Sequence, residues 1–164
     1  MNAVAGSAGD IFQKLRVLVV EDSGEMRRLV VALLQTMRIG CILEARDGKR
    51  GLEVFHTENP DIIITDGSMQ PMDGYEMTRL IRQSGSGQGD IPILMISGHL
   101  NRNIVDHARD QGVTDYLAKP LSADVLYQAI LRAVSNPLHI VETPSFRGPS
   151  PRRNLQVRHS DWPS

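Results

Sequence analysis

The chain has 164 residues, 41% of them hydrophobic, which suits a single core and leaves a second folded domain unexpected. Its net charge is -1, and Lys and Arg are scattered through residues 1–136, so no basic footprint for direct nucleic-acid binding is present there. Cys41 is the only cysteine, which excludes an internal disulfide. With no secretory pattern and no apolar run near the ~20 residues that cross a bilayer, a cytoplasmic protein without membrane insertion is expected.

Residues 1–15 read as a flexible lead-in, because Met1 to Asp10 are small, polar and aperiodic. Val17-Leu18-Val19-Val20 follows as a buried strand that ends at Glu21-Asp22. Met26, Leu29, Val30, Leu33, Leu34 and Met37, spaced by threes and fours, form one apolar stripe on a helix stopped near Gly40. A short strand runs from Cys41 to Ala45. Cys41, flanked by Ile42 and Leu43, reads as a small buried residue rather than a nucleophile. A helix between Gly48 and Glu58 turns Leu52 and Phe55 inward and ends at Asn59-Pro60. The β-branched run Ile62-Ile63-Ile64 suits a strand buried on both faces, and the Gly, Pro and Asp cluster after it must be a loop. Asp66 therefore stands at the carboxyl end of a central strand. Met77, Leu80 and Ile81 mark the next helix, which dissolves into Ser84 to Gly89.

Ile91 to Ile96 is the fourth strand and delivers Ser97 at its end. A weaker helical pattern, Ile104 with Ala108, stops at a left-handed cap on Gly112. Tyr116-Leu117-Ala118 is the fifth strand, closed by Lys119-Pro120, where a cis bond would turn the lysine toward the strand ends. Ser122 caps the last helix, with Val125, Leu126, Ala129, Ile130, Ala133 and Val134 at helical spacing. Five strands alternating with five helices demand crossover connections, hence a parallel sheet covered on both faces. From Asn136, five prolines and little periodicity predict that residues 136–164 form a Pro- and Arg-containing tail, disordered or loosely docked through Ile140-Val141 and Phe146.

In a parallel sheet the strand ends share one edge, and here they carry Glu21 and Asp22, Asp66, Ser97 and Lys119. Singly, each has a plain explanation: Asp22 as a helix cap, Ser97 as a turn residue, Lys119 as a solvated lysine. Their joint placement is the argument for a site. Three carboxylates in one crevice repel and raise a pKa unless a cation sits among them, and a hard divalent ion, Mg²⁺, is the natural occupant. A carboxylate acceptor, a metal, an ammonium and a hydroxyl together are what phosphoryl transfer requires.

The motifs V-L-V-V-E-D, I-I-I-T-D-G-S-M-Q-P-M-D-G, L-M-I-S-G and Y-L-A-K-P span about Arg16 to Val134, and in combination they resemble the receiver domain of bacterial two-component response regulators. The resemblance implies an α/β, flavodoxin-like, doubly wound five-stranded parallel sheet of order 2-1-3-4-5, flanked by five helices, with residues 16–135 as the receiver domain. It implies Asp66 as phosphoacceptor, Ser97 as switch hydroxyl, Tyr116 as switch aromatic and Lys119 as the family's lysine. Glu21, Asp22, Asp66 and the backbone carbonyl of Ser68 would hold Mg²⁺. Upstream it implies a sensor histidine kinase or a histidine phosphotransfer protein. Downstream it implies a protein bound at the face of the fourth helix, fifth strand and fifth helix, or a homodimer formed on phosphorylation. On phosphorylation Ser97 is expected to be drawn toward the phosphoryl group, vacating space that Tyr116 can enter from a more exposed rotamer, both states pre-existing and phosphate favouring one.

Two departures from the family pattern stand out. Gln70 occupies a position that is proline in most members, with Pro71 one later, and Gly67 and Gly98 are small for positions bordering the acceptor, which predicts an acyl phosphate open to water. His99, two residues beyond Ser97, reads either as a solvated loop residue or as a modulator of hydrolysis. The 29 residues after the last helix are too few for a helix-turn-helix module, so the expectation is a stand-alone regulator acting by protein binding, with a phosphorelay intermediate or phosphate sink as the alternative. Phe146-Arg147-Gly148-Pro149 followed by Arg152-Arg153 is similar to basic tails of some stand-alone receivers.

An enzyme acting on other substrates is not expected, only self-phosphorylation and autodephosphorylation. Haloacid-dehalogenase-type phosphatases also carry a strand-end aspartate nucleophile, but they need a second Asp two residues on, where Ser68 stands. A constitutive interaction module gives no reason for the acidic pair, the acceptor and the lysine to occur together.

Overall fold

The computed structural model describes residues 7–85, 87–98, 101–135, 140–144 and 146–149. Five parallel strands, β1 (Arg16–Val20), β2 (Cys41–Ala45), β3 (Ile62–Asp66), β4 (Ile93–Ser97) and β5 (Asp115–Ala118), form one sheet of order β2-β1-β3-β4-β5. This is the topology the sequence predicts. Helices α1 (Ala8–Lys14), α2 (Gly24–Thr36), α3 (Gly48–Glu58), α4 (Gly74–Arg82), α5 (Arg102–Gln111) and α6 (Ala123–Ser135) are joined by a short 3₁₀ turn at Gln88–Asp90.

Alternation along the central strands builds a core on each face. Val17, Val19, Ile62, Ile64, Leu94 and Ile96 pack with Val30 and Leu34 of α2 and with Leu126 and Ile130 of α6. On the opposite face Leu18, Val20, Ile63 and Ile93 meet Phe55 of α3 and Met77 and Ile81 of α4. Of the stripe expected on α2, Leu29 points away and is 45% exposed. Cys41, on the edge strand, is half-buried rather than buried. No helix among the described residues is long and apolar enough to cross a membrane.

Two segments depart from the reading of the termini. Residues 8–14 are a helix, not a flexible lead-in, so among the described residues six helices flank the sheet instead of the expected five. Ser7 caps α1 in a reciprocal bond with Asp10, and Phe12 is buried against the ring of Tyr127 on α6, with centroids 5.2 Å apart. The Phe12 carbonyl accepts from the Gly40 amide at 3.1 Å, and a Cβ on Gly40 would lie 1.9 Å from the Gln13 carbonyl oxygen, so only glycine lets α1 seat there.

Part of the tail, residues 140–143 and 146–149, is also regular structure. β6 (Ile140–Thr143) and β7 (Phe146–Pro149) form an antiparallel hairpin. Arg147 donates to the Arg82 carbonyl at 2.7 Å and pairs with Asp90. Arg82 itself is fully buried, its guanidinium donating to the carbonyls of Gly112 (2.9 Å) and Gly89 (3.0 Å) and to the Thr114 hydroxyl (3.3 Å). Burial pulls its pKa down to about 9, and Asp90 pulls the other way. Residues 150–164, Arg152-Arg153 among them, lie outside the described residues.

If α1 is part of the core, Phe12→Ala removes a buried ring and lowers the unfolding free energy by about 3 kcal/mol in urea titration. An unchanged midpoint would return residues 8–14 to a dispensable lead-in.

Candidate functional site

The site lies where β1, β3, β4 and β5 end. β1 stops at Val20, the Glu21 amide still donates to the Ala45 carbonyl at 3.0 Å, and Ser23 caps α2 by accepting from the Met26 amide. Glu21 and Asp22 are therefore held in the turn between strand and helix. Glu21 is buried and Asp22 exposed. The Glu21 carboxylate accepts from the Ser23 amide at 3.3 Å, and its backbone carbonyl from Arg27 at 2.8 Å.

Asp66 ends β3. The buried Thr65 hydroxyl donates to the Asp66 carbonyl at 2.9 Å, and the Gly74 amide closes the loop onto the Gly67 carbonyl at 3.0 Å. A Cβ on Gly74 would lie 2.1 Å from the Asp66 carbonyl oxygen, so glycine is obligatory where α4 begins. The Asp73 side chain caps α4 by accepting from the Glu76 amide at 2.8 Å. Both Gln70-Pro71 and Lys119-Pro120 are cis.

These elements bring the expected side chains together. One carboxylate oxygen from each of Glu21, Asp22 and Asp66 lies within 4.8 Å of the others. The Lys119 ammonium stands 3.7 Å from Asp66 Oδ2, and the Lys119 amide donates to the Ser97 carbonyl at 2.9 Å, tying the ends of β4 and β5 together. Ser97 is half-buried at the end of β4. Ser68 lines an open cleft with Asp22, Met69, Gln70 and Asp73, beside the acidic cluster. His99 lies outside the described residues.

Electrostatics show how crowded this edge is. Desolvation, followed by the charge of Asp66, pushes the Glu21 carboxyl up to about 7, while Lys119 and the Ser23 amide pull it down. One lysine does not balance three carboxylates. Oxygen donors at this spacing fit a hard divalent cation, whose charge would relieve what Glu21 experiences.

Tyr116 is buried, in a small core against which Tyr75 packs. Among the described residues nothing lies within 4 Å of a Cβ built on Gly98, whereas the flank at Gly67, expected to be open, is covered by the ring of Tyr75. Tyr75 was not singled out from sequence. The available signal was Gly67 itself, because a glycine buried beside an acceptor has to be covered by something else.

Sheet order and strand-end residues together define a flavodoxin-like α/β domain with an acidic, lysine-bearing edge. The chain belongs to the response regulator receiver domain family, which residues 17–131 match, and so to two-component signalling. It is 32% identical over 116 residues to a chemotaxis protein CheY of Pseudomonas aeruginosa, covering 71% of this chain and 93% of that one. It is 34% identical over 129 residues to hybrid signal transduction histidine kinase D of Dictyostelium discoideum, covering 79% of this chain but 8% of that protein. Among solved structures, the chemotaxis protein CheY4 of Vibrio cholerae matches with a TM-score of 0.68 at 28% identity, over 73% of this chain and 98% of that one. The matched residues 17–131 exclude both α1 and the β6–β7 hairpin.

The raised Glu21 pKa has a definite sign for stability. Below pH 4.5 the carboxyl is protonated in folded and unfolded chains alike; between pH 4.5 and about 7 the unfolded chain gives up a proton that the folded state still holds, so stability falls, and the loss is complete above about pH 7. In chelator, Glu21→Gln should therefore be more stable than wild type at pH 8 by roughly 1–3 kcal/mol and equal to it near pH 4. Thermal melts that coincide at both pH values would contradict the crowding.

Proposed function

We propose that this chain is a phosphorylation-operated signalling switch in which Asp66 accepts a phosphoryl group from the phosphohistidine of a sensor histidine kinase or histidine phosphotransfer protein. The observation that carries this reading is the meeting of Glu21, Asp22 and Asp66 within 4.8 Å at one sheet edge, with the Lys119 ammonium 3.7 Å from the Asp66 carboxylate. Family membership supports it.

An Asp66 oxygen attacks phosphorus, the phosphorus–nitrogen bond to the donor imidazole breaks, and an acyl phosphate remains on Asp66. Lys119 lies where its charge balances the transferred group. The Ser97 hydroxyl, at the end of the neighbouring strand, donates to a phosphoryl oxygen. Glu21, Asp22, Asp66 and the Ser68 carbonyl would hold Mg²⁺, which supplies positive charge to the oxygens of the transferred group. Hydrolysis returns the carboxylate when water attacks phosphorus. No other substrate is turned over: position 68 is Ser, so the general acid of an aspartate-nucleophile phosphatase is lacking.

The signal leaves through the face of α5, β5 and α6. A phosphoryl group adds nearly two charges and three acceptor oxygens, and the state it favours is the one whose groups contact it best. Met95 of β4, two residues before Ser97, shares a small core with Tyr116 of β5 and Ile104 and Val105 of α5, which supports a route from Ser97 to that face. The downstream partner is a protein bound there, in the cytoplasm.

Acetyl phosphate with Mg²⁺ should add one phosphoryl group by intact mass, with no addition in chelator and none in Asp66→Asn. Full labelling of Asp66→Asn would remove Asp66 from the role of acceptor.

A further inference from the structure

Gly67, directly after Asp66, is buried although it has no side chain of its own. A Cβ at this position would come within 3.1 Å of both Cε2 and the hydroxyl oxygen of Tyr75. The phenol of Tyr75 thus stands where a side chain at position 67 would. It is the second residue of α4, and the Asp73 cap and the Gly74-to-Gly67 bond fix that first turn against the acceptor loop.

Tyr75 has two further contacts. Its ring packs at a tilt on His107 of α5, with centroids 4.7 Å apart, and its side chain lies against the small core that includes Tyr116 of β5. Burial, then the neighbouring Tyr116 side chain, hold the phenol pKa well above the ordinary tyrosine range, and the charge of Asp66 acts in the same direction. The hydroxyl therefore remains a donor at any working pH. One side chain touches the acceptor's flank, the switch tyrosine and the helix that borders the output face.

We propose that Tyr75 is a positioning residue that shields the acyl phosphate of Asp66 and couples its formation to Tyr116 and α5. This rests on Asp66 being the acceptor. A phenol has a single proton to donate. Once an anionic phosphoryl oxygen stands beside Gly67, a charge-assisted bond roughly twice as strong as a neutral one draws that proton to it. Redirecting the donor shifts a ring that leans on His107 and on the core around Tyr116. The same ring keeps water from the side of the phosphoryl group that Gly67 would leave bare.

Two variants separate the parts. Tyr75→Ala removes ring and donor; Tyr75→Phe keeps the ring and removes only the donor. Each is phosphorylated with acetyl phosphate and Mg²⁺, followed by intact mass as the donor is removed, and the Tyr116 ring resonances are recorded by NMR with and without phosphate. Tyr75→Ala should lose its phosphoryl group at least about threefold faster than wild type. Tyr75→Phe should decay within about twofold of wild type but lose most of the phosphorylation-dependent shift at Tyr116. Should Tyr75→Ala lose its fold, Tyr75→Phe carries the test. Wild-type decay in folded Tyr75→Ala, or a wild-type Tyr116 shift in Tyr75→Phe, overturns the proposal while the acceptor role of Asp66 stands. Failure of the wild type to label on Asp66 overturns both.

Discussion

Carboxylate oxygens of Glu21, Asp22 and Asp66 within 4.8 Å of one another, with one ammonium 3.7 Å from Asp66, are an arrangement that no chain adopts for its own stability. Burial and the charge of Asp66 both resist ionisation of Glu21. The rest of the fold exists in relation to this constraint. β1, β3 and β4 bury nearly every side chain, and the two cores they share with the helices offset a repulsion that an isolated loop could not sustain. Because the strands run parallel, all their carboxyl ends fall on one edge, and residues far apart in sequence are delivered to the same few ångströms.

Local devices then set the positions more finely. Gly74 lets α4 start against the Asp66 carbonyl, the Lys119 amide bonds the Ser97 carbonyl, and Asp73 and Ser23 cap the helices that begin at the edge. Behind the edge, Met95, Val105, Ala108, Val113 and Tyr116 form a compact group between β4, β5 and α5, with Tyr75 and Ile104 packed on it. Charge at the front and packing at the back are joined through a few side chains.

The central strands were legible because Ile62-Ile63-Ile64 and Val17-Leu18-Val19-Val20 are continuous apolar runs, which only a strand covered on both faces explains. The site followed from topology: once the strands are parallel, Glu21, Asp22, Asp66, Ser97 and Lys119 must share an edge. Features that rest on single contacts escaped this kind of reading. α1 has seven residues, too few to show a period, and one buried ring, Phe12, seats it. The hairpin is tied down by Arg147 reaching a backbone carbonyl and Asp90, which leaves no hydrophobic pattern. Leu29 kept helical spacing yet faces outward, because the buried stripe of α2 is narrower than its apolar content. The cover that Tyr75 gives Gly67 is a relation between two residues that periodicity does not express.

The central claim is that this crowded edge is built to hold a phosphoryl group on Asp66 together with a divalent cation. A crystal structure of the chain grown with Mg²⁺ and beryllofluoride, a phosphoryl mimic, tests it most directly. The account predicts the fluoride adduct on an Asp66 carboxylate oxygen, Lys119 and Ser97 in contact with its fluorines, and Mg²⁺ bound by Glu21, Asp22, Asp66 and the Ser68 carbonyl. An Asp66 carboxylate left bare under these conditions, or an adduct seated elsewhere, would contradict it.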